Sequence, residues 1–434
     1  NHPDAHVATH FCVAGPDMPD INSQEERRHV LLNELTSTVG EVVLGLQVGC
    51  AECHDHKYDP ISQADFYRLR SVFEPAIQLR KNVSVRTLVE TAPYQQSSHV
   101  MIRGDFQRPG PKIQPAPLRL FRSTLSDVTA SEMELAFRAN RRKALADWVT
   151  QPDHPLTARV IVNRLWQQHF GRGLSESPSD FGIMGQEPTH PELLDWLANW
   201  FVDNGWSIRK FHRLILTSAV WQQQSRFTGN ADSTAATQWH QALREDPDAR
   251  LLSRFPRQRL SGEVIRDSML AVSDSLNRKT GGPGIRPPLP QELTSTLLKN
   301  QWDVTEDDSE HRRRSIYIFA RRNLRFPIFE AFDRPAANDS CPVRNVSTTA
   351  PQSLYLLNSD FTLECAQRLA DVMKAEHDTV TEQVNEVFRK VFSRHPTVDE
   401  LQQVEAFLQQ SPADSGLTHL CLSLFNSNEF VFLE

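Results

Sequence analysis

Within the 434 residues, one short segment carries side chains of a type and order that could do chemistry: Cys50-Ala51-Glu52-Cys53-His54. Two thiols separated by two residues can reach the two vinyl groups of one porphyrin, and the histidine that follows is placed under the iron as proximal ligand. The spacing therefore predicts one covalent c-type haem, with Cys50 and Cys53 as attachment points and His54 as the metal ligand. Two plainer readings compete: a CxxC disulfide, and a zinc site built from Cys50, Cys53, His54 and His56. Four ligands compressed into seven residues leave little room for tetrahedral geometry, and the sequence has no second CxxC to share the work.

A haem held by thioethers is installed in an oxidising compartment, so the motif implies a periplasmic or secreted protein. The chain starts at Asn1 without a basic and apolar leader, which leaves the address to the motif. The sixth coordination position then decides the role: a strong second ligand favours electron transfer, an open one favours catalysis. Candidates are His10, His56, His99, His169, Met18 and Met101. His99 is preferred because polar groups cluster after it, in His99-Val100-Met101-Ile102-Arg103-Gly104-Asp105.

The elements that must position these residues follow from composition and periodicity. With 39% hydrophobic and 23% charged residues the chain has the make-up of a folded globular protein. A formal charge of -7 with interspersed signs excludes the basic footprint of a nucleic-acid binder. No apolar run is long enough to predict a membrane span. The remaining cysteines, Cys12, Cys341, Cys365 and Cys421, are too scattered for a disulfide framework.

Leu32, Leu35, Val39, Val42, Val43 and Leu46 recur at helical spacing and predict a helix that delivers the CxxCH segment. Asp59-Pro60-Ile61 breaks the chain, and a second helix is expected from Ser62 to Phe73. Val83, Val85, Val100 and Ile102 predict short strands, followed by a proline-rich connection from Pro109 to Pro117. A helical region should run from Ser131 to about residue 227. Capping boxes are read at Thr189-His190-Pro191-Glu192 and Thr397-Val398-Asp399-Glu400, a strand over Ser315 to Phe319, and a loop at Gly281-Gly282-Pro283-Gly284. The fold class is mainly α with a minor β part. A haem-binding helical region (1–80) joins a β and proline-rich connection (81–130) and a larger, mostly helical domain (131–434).

The segment from Cys50 to Ile61, CAECHDHKYDPI, resembles the planctomycete cytochrome-c-like PSCyt family, and the second half resembles its partner, the PSD domain. The motifs that carry the second likeness are Asn163-Arg164-Leu165-Trp166, Phe170-Gly171-Arg172-Gly173-Leu174, Pro178-Ser179-Asp180-Phe181-Gly182 and Thr189 through Leu197. Arg321-Arg322-Asn323, Glu330-Ala331-Phe332-Asp333 and Arg344 through Gln352 extend it. The resemblance implies a signal sequence and further PSCyt residues upstream, so the chain is expected to be N-terminally incomplete. Where the family often has glycine before an aromatic residue, this chain has Ala8-Thr9-His10-Phe11, which makes His10 an added ligand or a neutral exchange. The family's neighbours include sulfatases and polysaccharide-degrading enzymes, which implies a carbohydrate or sulfated polysaccharide substrate.

Two functions follow as expectations. The first is an extracytoplasmic redox or electron-transfer protein of polysaccharide catabolism, with a partner cytochrome. The second is a glycoside hydrolase in which the haem is structural and two carboxylates act, one as acid and one as base or nucleophile. Candidate acids in the family-like segments are Asp333, Asp180, Asp105 and Glu263, beside Asp267 and Glu330. Arg103, Arg344 and Asn345 are candidate substrate-binding residues. Asp333 leads because it precedes an irregular polar segment of the kind that forms pockets. Each acid also has an ordinary reading as a cap or an ion pair, and Glu263 with Asp267, one helical turn apart, reads first as a solvated face. Trp166, Trp196, Trp200, Trp206 and Trp221 lie mostly at helical spacing and read first as core.

Overall fold

A computed structural model describes residues 21–77, 97–124, 127–295, 301–321, 324–336, 340–412 and 414–433. Helix α1 (Gln24–Val39) starts where the Ser23 hydroxyl accepts the Glu26 amide at 3.2 Å. It widens into a π-turn over Gly40–Leu44 and stops at Gly45, whose φ of 61° is left-handed. A 3₁₀ turn over Val48–Glu52 follows, then α2 (Gln63–Arg70), begun by a capping box between Ser62 and Asp65. Strands β1 (Ser98–Met101) and β2 (Pro109–Ile113) pair antiparallel, Ser98 opposite Ile113 and His99 opposite Lys112.

Helices α3 (Asp127–Ala139), α4 (Arg141–Val149), α5 (Thr157–Phe170), α6 (Pro191–Asp203), α7 (Ile208–Leu216) and α8 (Thr234–Glu245) come next. They are followed by β3 (Gln258–Arg259), α9 (Gly262–Val272), α10 (Gln291–Thr294), α11 (Pro327–Ala331), α12 (Ala350–Asn358) and α13 (Asp360–Glu376). The chain closes with α14 (Val380–Phe392), α15 (Val398–Gln410), α16 (Gly416–Phe425), α17 (Asn428–Val431) and β4 (Phe432–Leu433), which pairs antiparallel with β3. The expectation of a mainly helical chain with little strand is met. No described helix is long and apolar enough to cross a membrane.

Two compact units divide the chain. The first comprises the described residues of Asn1–Gln223, Thr234–Arg254 and Asn338–Pro342, and the second those of Gln224–Ser233, Phe255–Ala337 and Val343–Glu434. In the first, Leu32, Leu35 and Val39 of α1 meet Phe66 and Leu69 of α2, together with Phe137 and Trp148. Each such side chain contributes about 1.5–3 kcal/mol when fully buried. In the second, Ala366, Leu369, Ala370 and Met373 line one face of α13 with no exposed surface. The small residues four apart admit Leu417 and Cys421 of α16 to the same core.

Several local expectations are corrected. Ser315 to Phe319 is no strand: Ser315–Tyr317 forms a 3₁₀ turn because the Ser315 amide donates to Asp267 Oδ1 at 2.7 Å, taking it out of any ladder. Ile102 likewise leaves β1 for a 3₁₀ turn, where Arg103 and Gly104 both adopt positive φ. Pro109–Ile113 belongs to β2, where prolines lacking an N–H are tolerated at a sheet edge. At α6 the predicted capping box does not form: the Thr189 amide donates to the Leu174 carbonyl at 2.8 Å, and His190 becomes the N-cap without a side-chain bond. The box at Thr397 does form, closed by Thr397 N to Glu400 Oε2 at 2.7 Å. Val83 and Val85 lie outside the described residues.

Candidate functional site

The CxxCH segment sits on the 3₁₀ turn after Gly45. Val48 and Ala51 face the core, which turns Cys50, Cys53 and His54 outward. In a 3₁₀ turn residues three apart eclipse one another, so the two cysteines share a side. Both thiols are exposed and free. His54 Nδ1 lies 2.7 Å from the Asp55 carbonyl, to which it can donate, leaving Nε2 as the available nitrogen.

His56 turns away from this group. Its side chain is buried, and Nδ1 accepts the Asp59 amide at 2.8 Å and the Tyr58 amide at 3.3 Å. Asp59 is buried in turn and accepts the Ile183 amide at 2.8 Å. A Cβ at Gly182 would come within 2.5 Å of that carboxylate, so only glycine allows the approach. Among the described residues, no group of three or more His, Cys, Asp and Glu side chains gathers to hold a metal ion, so the four proposed zinc ligands do not converge.

Behind the turn runs a buried polar chain that starts at Glu52, between the two cysteines. Glu52 Oε1 accepts Asn33 Nδ2 at 2.7 Å, and the same amide nitrogen lies 2.9 Å from His29 Nε2. His29 Nδ1 is 3.2 Å from Arg70 Nη2, Arg70 donates to Glu74 at 2.9 Å, and the Ser98 hydroxyl donates to Glu74. Burial, reinforced by the Arg70 charge, pushes His29 down to about 4, so it is neutral at neutral pH. Burial pushes the Glu52 carboxyl up and, with Glu52 beside it, the Cys53 thiol up as well.

The backbone of the turn is clamped from the other side. The Glu52 carbonyl accepts Gln63 Nε2 at 2.9 Å and the Tyr67 hydroxyl at 3.2 Å, and Gln63 also reaches the Met101 carbonyl at 3.0 Å. Gly104, at φ 75°, stands so close that an added Cβ would lie 2.8 Å from Cys53 Sγ. The hairpin that carries His99, Met101 and Arg103 is thus fastened beside the cysteines. His99 is half-buried in β1, and Arg103 is exposed at the turn. His10 and Met18 lie outside the described residues. His169 has both ring nitrogens engaged, with the Leu165 carbonyl at 2.9 Å and His212 at 3.2 Å.

The candidate acids are placed as follows. In the first unit, Asp105 Oδ1 accepts the Gln107 amide at 3.0 Å and Asp180 Oδ1 the Gly182 amide at 2.9 Å, each inside a turn. In the second unit, Asp333, at φ 59°, accepts the Ser347 amide and hydroxyl at 2.9 and 2.8 Å and pairs with Arg259 at 2.8 Å. Burial works to raise its carboxyl, but the Ser347 and Arg259 contacts outweigh it and hold Asp333 below the usual range. Glu263 is governed the same way: burial is overcome by Arg344, 3.0 Å away, and Arg334 lies 3.6 Å off. Asp267 is bound to Ser315 rather than solvated, and Asn345 is exposed. Trp166 is core and stacks on Phe170, whereas Trp196 is 53% exposed.

Sequence reasoning passed over His29, Asn33, Arg70 and Glu74. The signal was present: His29 and Asn33 are polar residues four apart that flank the apolar stripe at Leu32, and Arg70 and Glu74 have helical ion-pair spacing.

The architecture is that of a mainly helical chain whose CxxCH turn lies in its leading segment. That leading segment, residues 1–78, matches the PSCyt2 family, described as a protein of unknown function (DUF1549). Residues 141–408, more than half of the chain, match PSD1, a protein of unknown function (DUF1553), and the protein belongs to this family. No curated protein and no solved structure matches the chain.

Proposed function

We propose that the protein is an extracytoplasmic c-type haem protein with a redox or electron-transfer role in polysaccharide catabolism. The observation that carries this reading is the state of the CxxCH side chains: two free, exposed thiols on one side of a short turn, and a histidine whose Nδ1 is oriented by a carbonyl while Nε2 is free. A second-sphere hydrogen bond of that kind fixes the tautomer and aim of a ligating histidine. Cys50 and Cys53 would each add S–H across a vinyl group, the hydrogen going to carbon, so attachment needs no oxidant. Bound haem supplies a one-electron centre at its iron.

The protein's own groups support that role. Gln63 and Tyr67 hold the backbone of the turn, Gly104 gives Cys53 clearance, and the neutral His29 adds no charge behind it. Hydrolysis finds less support: Asp333 and Glu263 are held ionised by arginines, whereas a glycosidase needs one protonated carboxyl.

Production in a host with a c-type maturation system tests the reading. The purified protein should keep its Soret band and stain for haem after denaturing electrophoresis, and Cys53→Ala should lose one thioether. An intact mass equal to the bare polypeptide, or stoichiometric zinc without iron, would overturn it. Anaerobic incubation with algal oligosaccharides separates the roles, since cleavage that proceeds without an electron acceptor would establish hydrolysis instead.

A further inference from the structure

The second unit contains a cavity of about 560 Å³, within the size range of small-molecule sites. One wall is the run Pro287-Pro288-Leu289-Pro290, which has little conformational freedom to lose on binding. Trp302 braces it from behind, its indole N–H donating to the Pro287 carbonyl at 2.8 Å. Phe326, Tyr355 and Phe361 add flat aromatic surface. At the base lies Arg266, 2% exposed, which donates to the carbonyls of His311 and Arg313 at 2.6 and 2.9 Å and has its guanidinium 5.3 Å from the Phe361 ring centroid.

The rim is polar and electrically balanced. Asp308, Asp360 and Glu364 face Arg312 and Arg368 there, with the charge of Arg266 beneath them, and Arg312 is joined to Glu364 at 2.9 Å. The cavity therefore favours neither an anion nor a cation. It offers planar donors and acceptors side by side, above rigid apolar faces. That combination suits a ligand with vicinal hydroxyls around its edge and C–H faces on its body, because carboxylates and guanidinium groups bind adjacent hydroxyls in pairs while aromatic faces cover the C–H surface.

We propose that this cavity binds a neutral saccharide of one or two rings. The proposal deepens the carbohydrate side of the reading above and rests on no residue of the CxxCH turn. The test is calorimetric titration of the full chain with cellobiose, maltose and laminaribiose, and with sulfated counterparts. Saturable binding of at least one neutral disaccharide is expected, weakened about tenfold or more in Glu364→Gln and in Tyr355→Ala. Tyr355→Phe, which keeps the ring, should bind close to the parent and covers the case in which the alanine variant fails to fold. His54→Ala should bind sugar normally, so a chain that carries no haem yet binds sugar would sink only the haem reading. Absence of saturable binding up to about 10 mM, preference for the sulfated sugars, or unchanged affinity in Glu364→Gln would overturn the proposal.

Discussion

Two buried arginines, one in each unit, show how differently the same side chain is used. Arg70 and Arg266 are each 2% exposed. Arg70 meets a buried carboxylate, Glu74, and a buried histidine, and so joins a chain of ionisable groups that ends at the CxxCH turn. Arg266 instead meets main-chain carbonyls and the Ser315 hydroxyl, with Asp267 3.7 Å away, and so forms a scaffold beneath a cavity. A buried charge matched by a charge couples the protonation states of its neighbours. A buried charge matched by dipoles fixes shape.

The sharpest way to break this comparison is to remove each guanidinium. Arg70→Met takes a buried guanidinium away from the buried Glu74 carboxylate, and should cost about 3–5 kcal/mol in chemical denaturation. Arg266→Met strands neutral carbonyls and should cost less, about 1–3 kcal/mol. Equal losses would mean that the charge on Glu74 is not what Arg70 serves.

Acid should separate the units next. His29 and His154, both in the first unit, are pushed by burial to about 4 from an ordinary 6.5. The unfolded chain takes up these protons first, so stability is full above pH 6.5 and falls as pH drops towards 4, by up to about 3 kcal/mol for each. In the second unit, hydrogen bonds from Arg394 hold Glu400 at about 2 against an ordinary 4.5, so its contribution persists above 4.5 and fades between 4.5 and 2. Hydrogen exchange across this range should show the first unit loosening at higher pH than the second. His29→Gln should flatten the upper window, and a single shared transition would contradict the assignment.

Asp333→Asn weakens charge-assisted bonds to Arg259 and Ser347, and about 1–3 kcal/mol of stability should go with them, read from thermal unfolding. Any oligosaccharide cleavage abolished by the same change, with folding intact, would restore Asp333 as an acid of the hydrolase. Smallest of all, Asp147→Ala removes the exposed pair with Lys143 on α4 and should shift stability by no more than about 0.5 kcal/mol.

What the sequence disclosed was local. The helix into the CxxCH turn was legible from Leu32, Leu35 and Val39, and the second helix from Phe66 and Leu69, because an apolar stripe at helical period has one way to be buried. The capping box at Thr189 was misread because the competing Leu174 carbonyl is fifteen residues away in the chain. The Glu52-to-Ser98 chain escaped for the same reason: Asn33 to Glu52 and His29 to Arg70 are contacts between separate elements. The cavity was equally hidden, since Pro287, Arg312 and Glu364 have no shared pattern until the fold assembles them. At the candidate acids the residue types were readable, but their arginine partners were not all in view, and those partners set the charge.

Gly104 has a stereochemical consequence. Cys53 Sγ fills the space that a side chain at this position would take, so the Gly104 backbone screens one flank of the sulfur. Mirror-image alkylating reagents that must fit beside this backbone would meet the sulfur as two different compounds and react at unequal rates. A residue with no side chain and no stereocentre of its own would then dictate the handedness of the carbon that bonds to its neighbour.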